Sequence, residues 1–252
     1  MDTQQALFQY CLRLGDTNLI LGHRLAEMCS RGPFLEEDIA LTNFALDHTG
    51  QAEALLGYAG QLEGKGRSED DLAYLRSEWE YRNFLLCEQP NTDFAFVIAR
   101  QLMVDTFQCL LYDQLRTGKD EMLAGMAARF LKEATYHFRH SSSWVERLGQ
   151  GTDESQRRIH KAFNDLWRFV PEMFESDSAE KTLADLGIAP ESSDLQAQWM
   201  VNMARVFDKA GLSVPAVENA PVGSSRAVHS EHLGHLLSEM QYLQRAYPEA
   251  KW

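Results

Sequence analysis

The chain has 252 residues, enough for one sizeable core or two small domains. Hydrophobic residues make up 44% and charged residues 24%, the balance of an ordinary soluble globular protein. A formal net charge of −13 argues against nucleic acid as a partner, because phosphate binding needs basic patches; an anionic small molecule in a local basic pocket stays open.

Met1-Asp2-Thr3-Gln4-Gln5 lacks the basic and then apolar regions of a signal peptide. No apolar run approaches the ~20 residues needed to cross a bilayer, so a soluble, cytoplasmic protein is expected. Cys11, Cys29, Cys87 and Cys109 each fall on a predicted helix without a Cys-x-x-Cys spacing, which suits buried reduced thiols better than a zinc site or a disulfide framework.

Taken in order, the first helix spans about 3–30, with Leu7, Cys11, Leu14, Leu21, Leu25 and Met28 at amphipathic spacing. Gly32-Pro33 breaks it. The second spans about 35–63, with Glu36, Glu37 and Asp38 against the positive end of the helix dipole. Gly64-Lys65-Gly66 ends it, and Ser68 followed by Glu69, Asp70 and Asp71 opens a charged, surface-lying helix over about 68–88. Gln89-Pro90-Asn91 stops that one. Long helices follow over about 93–117 and 120–149, joined by Gly118-Lys119-Asp120. Further helices are expected over about 153–175, where Pro171 should kink or end the last turn, and over 179–186, 194–210 and 230–247. Gly211–Val228, with Pro215, Pro221 and Gly223, reads as a mobile loop. No strand pattern emerges.

Tight turns join the first two long helices and the last two, and a long segment separates the pairs. Two antiparallel hairpins with one long crossover form the ferritin-like four-helix bundle, here as a single all-α domain over 1–252 with peripheral C-terminal helices. Bundles of this kind hold a metal pair with one Glu from each of two helices and Glu-x-x-His from each of the other two. The stretch Lys132-Glu133-Ala134-Thr135-Tyr136-His137 sits where half of such a site belongs, yet Ala134 stands where the Glu should be. None of the eight histidines follows a Glu or Asp by three positions.

Asp16, His48 with Gln51, Asp105 and His137 each fall near the middle of a long helix. They form either a metal centre with unusual ligands or a vestigial, metal-free polar core in which carboxylates pair with neighbours. The second reading is favoured, because a di-iron centre needs several carboxylates to balance its charge and buried charges can be satisfied by partners without iron. Asp47 and Glu133 are each one position off the required face, a rotation of ~100°. His229, His232 and His235 form a second, weaker candidate cluster. Met122, Met126, Phe130 and Tyr136 read as core, and Trp144 with Arg147 and Trp167 with Arg168 as aromatic–cation pairs on helical surfaces.

Several stretches together resemble a known family: Leu12-Arg13-Leu14-Gly15-Asp16, Asp47-His48-Thr49-Gly50-Gln51-Ala52, Glu88-Gln89-Pro90-Asn91, Ile98-Ala99-Arg100-Gln101, Arg147-Leu148-Gly149, Leu166-Trp167-Arg168-Phe169 and Glu239-Met240-Gln241-Tyr242-Leu243-Gln244-Arg245. They are similar to the structural, non-catalytic subunits of bacterial phenylacetyl-CoA epoxidases, multicomponent ring monooxygenases of aerobic phenylacetate breakdown. The resemblance implies a ferritin-like fold and pairing with a homologous catalytic subunit that carries the di-iron site. In that partner, the places of His48 with Gln51 and of Ala134 with His137 are similar to Glu-x-x-His pairs. His48 departs from the apolar residue expected there. The resemblance also implies further small subunits and a flavin and iron–sulfur reductase, with no cofactor and no catalytic residue in this chain. An atypical di-metal oxidase and a free-standing homo-oligomer, such as a homodimer of the isolated chain, are the competing expectations.

Overall fold

Asp2 opens the first helix of the computed structural model by accepting the Gln5 N–H at 2.8 Å, and such side-chain caps recur along the chain. Residues 1–217, 228–248 and 250 are described. In order they form α1 (Thr3–Ala26), α2 (Leu35–Glu63), α3 (Glu69–Tyr74), a 3-10 turn (Glu78–Glu80), α4 (Leu85–Glu88), α5 (Phe94–Leu115), α6 (Glu121–Gly149), α7 (Asp153–Leu166), a second 3-10 turn (Trp167–Phe169), α8 (Val170–Met173), α9 (Ser178–Asp185), α10 (Ser192–Ala210), α11 (Glu231–Met240) and α12 (Tyr242–Ala246). No strand occurs among the described residues, so the fold is all-α.

The described chain falls into two compact units. One contains α1 through α4 with α11 and α12. Its α1–α2 hairpin packs closely: a Cβ on Gly15 would lie 2.7 Å from Leu56 Cδ2, so a larger residue there would require the Leu56 side chain to move. α1 buries Leu7, Cys11, Leu14, Leu21 and Leu25 as its spacing predicts, and its central turns are buried all round. The other unit contains Gly32–Phe34 and α5 through α10. Here the α5–α6 hairpin is backed by an aromatic cluster. Trp167 and Trp199 have ring centroids 5.5 Å apart, Phe163 and Phe207 lie edge-to-face at 4.6 Å, and Trp199 Nε1 donates to the Met103 carbonyl at 3.0 Å.

Several expectations need correction. The first helix stops at Ala26, and Glu27–Arg31 continues in turns, Arg31 N–H reaching the Met28 carbonyl at 2.8 Å. Cys29 is exposed there, while Cys11 and Cys87 are buried, and none of the four cysteines forms a disulfide. The helix expected over 68–88 is two short helices flanking a 3-10 turn, and it lies only partly on the surface: Asp70, Leu75, Trp79 and Glu80 are exposed, whereas Arg76, Tyr81, Asn83, Leu86, Cys87 and Glu88 are buried. Arg76 and Glu88 face inward to partners while Asp70 and Glu80 stay exposed, and a reading of charge as solvent contact misses the inward two. The helix expected over 153–175 is interrupted by the 3-10 turn, and Pro171 sits in the first turn of α8, where its missing N–H costs nothing. The last expected helix breaks at Gln241 between α11 and α12. Of the expected loop, residues 211–217 are irregular, whereas Pro221 and Gly223 lie outside the described residues, as does Trp252.

On α6 only Phe130 of the four expected core residues is fully buried; Met122 and Tyr136 are exposed and Met126 is half-buried. α5 is long and apolar enough to cross a membrane by length and composition, contrary to the expectation above, but most of that stretch is buried within the fold, the setting of a core helix.

Candidate functional site

Asp16, His48 and Gln51 lie in the first unit, and each is fully buried. Asp16 meets a guanidinium. Arg76 Nη1 donates to Asp16 Oδ2 at 3.0 Å, Arg76 Nη2 donates to Oδ1, and the Arg82 backbone N–H reaches Oδ2 at 2.8 Å. Burial raises the Asp16 pKa above the ordinary carboxylate value, and Arg76 and the Arg82 N–H pull against that rise. Arg76 can do this because Ser77 and Glu80 form a capping box that turns the chain after α3, and because Gln241 Nε2 holds the carbonyls of Ala73 and Arg76 at 3.1 and 3.0 Å. His48 Nδ1 lies 2.8 Å from Asn18 Oδ1, while Asn18 Nδ2 donates to the Leu14 carbonyl one turn back along α1.

Asp105, Ala134 and His137 lie in the second unit, also fully buried. Asp105 is held by neutral donors. Gln101 Nε2 reaches Oδ1 at 2.6 Å and Ser141 Oγ reaches Oδ2 at 2.7 Å. Burial pushes the Asp105 pKa up to about 7, while His137, Ser141 and Gln101 work in the opposite direction. Glu133 turns aside to Arg129, whose Nε is 3.4 Å away.

The second cluster does not assemble. His229 precedes α11 and is built into the first unit, its Nδ1 2.5 Å from Glu88 Oε1 and its Nε2 3.0 Å from the Tyr81 carbonyl. Glu88 Oε2 accepts from Ser230 N–H and Oγ at 2.8 and 2.6 Å. This Glu88 anchor secures the start of α11, while His232 is half-buried and His235 is exposed on the same helix. Of the aromatic–cation pairs, Arg147 does lie over Trp144 at 5.3 Å. Trp167 is instead a core residue, and Arg168 lies over Phe169 at 5.5 Å.

These side chains do not match the donor set of a di-iron pair. Such a centre draws on several anionic oxygens. Each unit offers one central Asp, and both oxygens of each Asp already accept from N–H or O–H donors of the same unit. Ala134 presents a methyl group and Gln51 a neutral amide in the places where the resemblance implies metal ligands in a catalytic partner. The partners that sequence reasoning missed are Arg76, Gln101, Ser141 and Glu88. Gln101 and Ser141 carried a signal, standing one helical turn from Asp105 and from His137 respectively; Arg76 and Glu88 did not, because only the folded path of 68–88 turns them inward.

The chain matches the phenylacetic acid catabolic protein family over residues 1–252. It is also 44% identical over 246 residues to a subunit of the 1,2-phenylacetyl-CoA epoxidase of Escherichia coli (strain K12), covering 98% of this chain and 99% of that protein. Members of this family are all-helical and ferritin-like. On this full-length match the chain belongs to the phenylacetic acid catabolic protein family.

Proposed function

We propose that this chain is the non-catalytic, structural subunit of a multicomponent phenylacetyl-CoA ring epoxidase. It pairs with and stabilises a homologous di-iron subunit, alongside further small subunits and a flavin and iron–sulfur reductase, in the cytoplasm. Similarity along the full length to a subunit of the Escherichia coli epoxidase supports membership of such a complex. The observation that carries the non-catalytic half of the reading is the state of the two central carboxylates: Asp16 is closed by Arg76 and Arg82, and Asp105 by Gln101 and Ser141. At Asp16 a metal would have to share the carboxylate with a buried guanidinium charge, and at Ala134 it would gain no further carboxylate. The chain's contribution is then mechanical, a rigid helical surface against which a sister protein holds its own metal-bearing helices.

The test is co-expression with the homologous catalytic protein, followed by sizing chromatography and metal analysis. A stable complex with iron assigned to the partner, and none retained by this chain when purified by itself, is the expected result. Separate migration of the two proteins overturns the assembly; stoichiometric iron or manganese in the isolated chain overturns the non-catalytic role in favour of an atypical di-metal oxidase.

A further inference from the structure

At the carboxylate that the first helix offers, this chain places a side-chain cation. Arg76 is 2% exposed. Besides its two bonds to Asp16, its Nη1 donates to the Glu80 carbonyl at 2.9 Å and its Nε to the Leu72 carbonyl. Its Cζ stands 4.3 Å from the centre of the Tyr81 ring. Four oxygens, two from one carboxylate and two from backbone carbonyls, therefore surround a single buried positive charge. Oxygens of that kind are what hard divalent cations take. A guanidinium satisfies them in fixed directions, because its donors form a rigid planar fork that an ammonium lacks. The backbone around Arg76 is tied down without any ion: Gln241 Nε2 and Arg245 Nη2 bond its carbonyl at 3.0 and 2.8 Å.

We propose that Arg76 is a built-in substitute for a metal cation at Asp16. It neutralises the carboxylate, keeps divalent ions out of the oxygen cage, and joins the segment after α3 to α1. The substitute role rests on the non-catalytic reading above, but the site can be tested in this chain alone. Removing the guanidinium leaves an anionic, oxygen-lined cavity that should accept a hard cation.

The experiment compares full-length wild type, Arg76→Ala, and Arg76→Ala combined with Asp16→Asn, titrated with Mn²⁺ or Ca²⁺ alone by calorimetry and followed by thermal melting. Arg76→Ala is expected to bind at least roughly tenfold tighter than the double variant and to recover melting temperature as it does so. Wild type should respond neither to the cations nor to EDTA. A folded Arg76→Ala chain that binds no better than the double variant overturns the proposal, as does a wild-type chain that takes up cation through Asp16. Should Arg76→Ala not fold in buffer, its refolding yield with and without Mn²⁺ decides: a gain abolished by Asp16→Asn supports the substitute role, and equal yields overturn it. None of these readouts depends on the sister protein, so failure here is distinguishable from failure of the assembly.

Discussion

Asp16 and Asp105 pose one electrostatic problem twice. Each is a fully buried carboxylate near the middle of a long helix, and an unpaired charge there would cost several kcal/mol or force the group to neutralise. The first unit answers with an opposite charge, the Arg76 fork. The second answers with the nearby His137 imidazole, an amide and a hydroxyl in place of a guanidinium fork, and burial outweighs them, pushing the pKa to about 7. An ion pair fixes geometry strongly but punishes the loss of either member; a hydrogen-bonded acid can shed its charge by keeping a proton. The same residue type therefore serves as a rigid lock in one unit and as a titratable core group in the other. In both units donors sit on both carboxylate oxygens, but only at Asp16 does one of them bring a full positive charge that a metal would have to displace.

The contrast breaks most visibly at Arg76. Arg76→Met leaves the Asp16 charge buried without its counter-ion and is expected to lower unfolding free energy by about 3–5 kcal/mol, read as the shift in the urea midpoint. Arg76→Met with Asp16→Asn should recover most of that loss, since removing a whole buried pair is often near neutral. A double variant as unstable as the single one would mean that Arg76 acts through its packing and its bonds to the Leu72 and Glu80 carbonyls and not through the Asp16 charge.

The second unit should answer to pH instead. The Asp105 pKa is raised from 3.8 to about 7 in the fold, so between those values the folded chain holds a proton that the unfolded chain has released. Its contribution is complete below pH ~4 and is lost as pH rises through about 7. Stability relative to Asp105→Asn should thus fall across that window by an amount on the order of a few kcal/mol. Denaturation of both proteins from about pH 4 to 8 checks this, and a difference that stays flat would show that Asp105 is ionised throughout. Ser141→Ala sharpens the point at smaller cost. It strips Oδ2 of its donor and should destabilise by about 1–3 kcal/mol. It should also move the midpoint of the pH effect upward, because the lost bond favoured the charged form.

How far this was legible from sequence follows the same division. The two long hairpins were readable because apolar periodicity and cap residues agree locally: α2 matches its expected bounds, and α5 and α6 begin within one or two residues of theirs. Asp105 and His137 could be placed at mid-helix from element lengths alone. Residues 68–88 could not be read so well. Leu72, Tyr81 and Leu86 carry no clean period, and Arg76 and Glu88 look solvated until the turns at Ser77 and Phe84 point them at Asp16, His229 and Ser230. Local pattern reports secondary structure, whereas the partner of a buried charge is a long-range fact: Arg76 and Asp16 are separated by 60 positions. Trp167 was misplaced for a related reason, since an aromatic beside an Arg reads as a surface pair unless Trp199 and Phe207 are known to cover it.

The smallest expected effects come from carboxylates and hydroxyls that need no buried partner. Ser68 accepts the Asp71 N–H at 3.1 Å while Asp71 Oδ2 takes the Ser68 N–H at 2.8 Å, closing a box at the start of α3. Asp93 accepts the Phe96 N–H at 2.9 Å at the start of α5. Water can replace either cap, so Ser68→Ala and Asp93→Ala should each cost about 1 kcal/mol in chemical denaturation, with little dependence on which unit they belong to. That uniformity is the control on everything larger. If the caps cost as much as Arg76→Met, the loss of any hydrogen bond would explain the data. If they remain near the value of an ordinary cap, the excess at Arg76 belongs to an uncompensated charge in a dry interior.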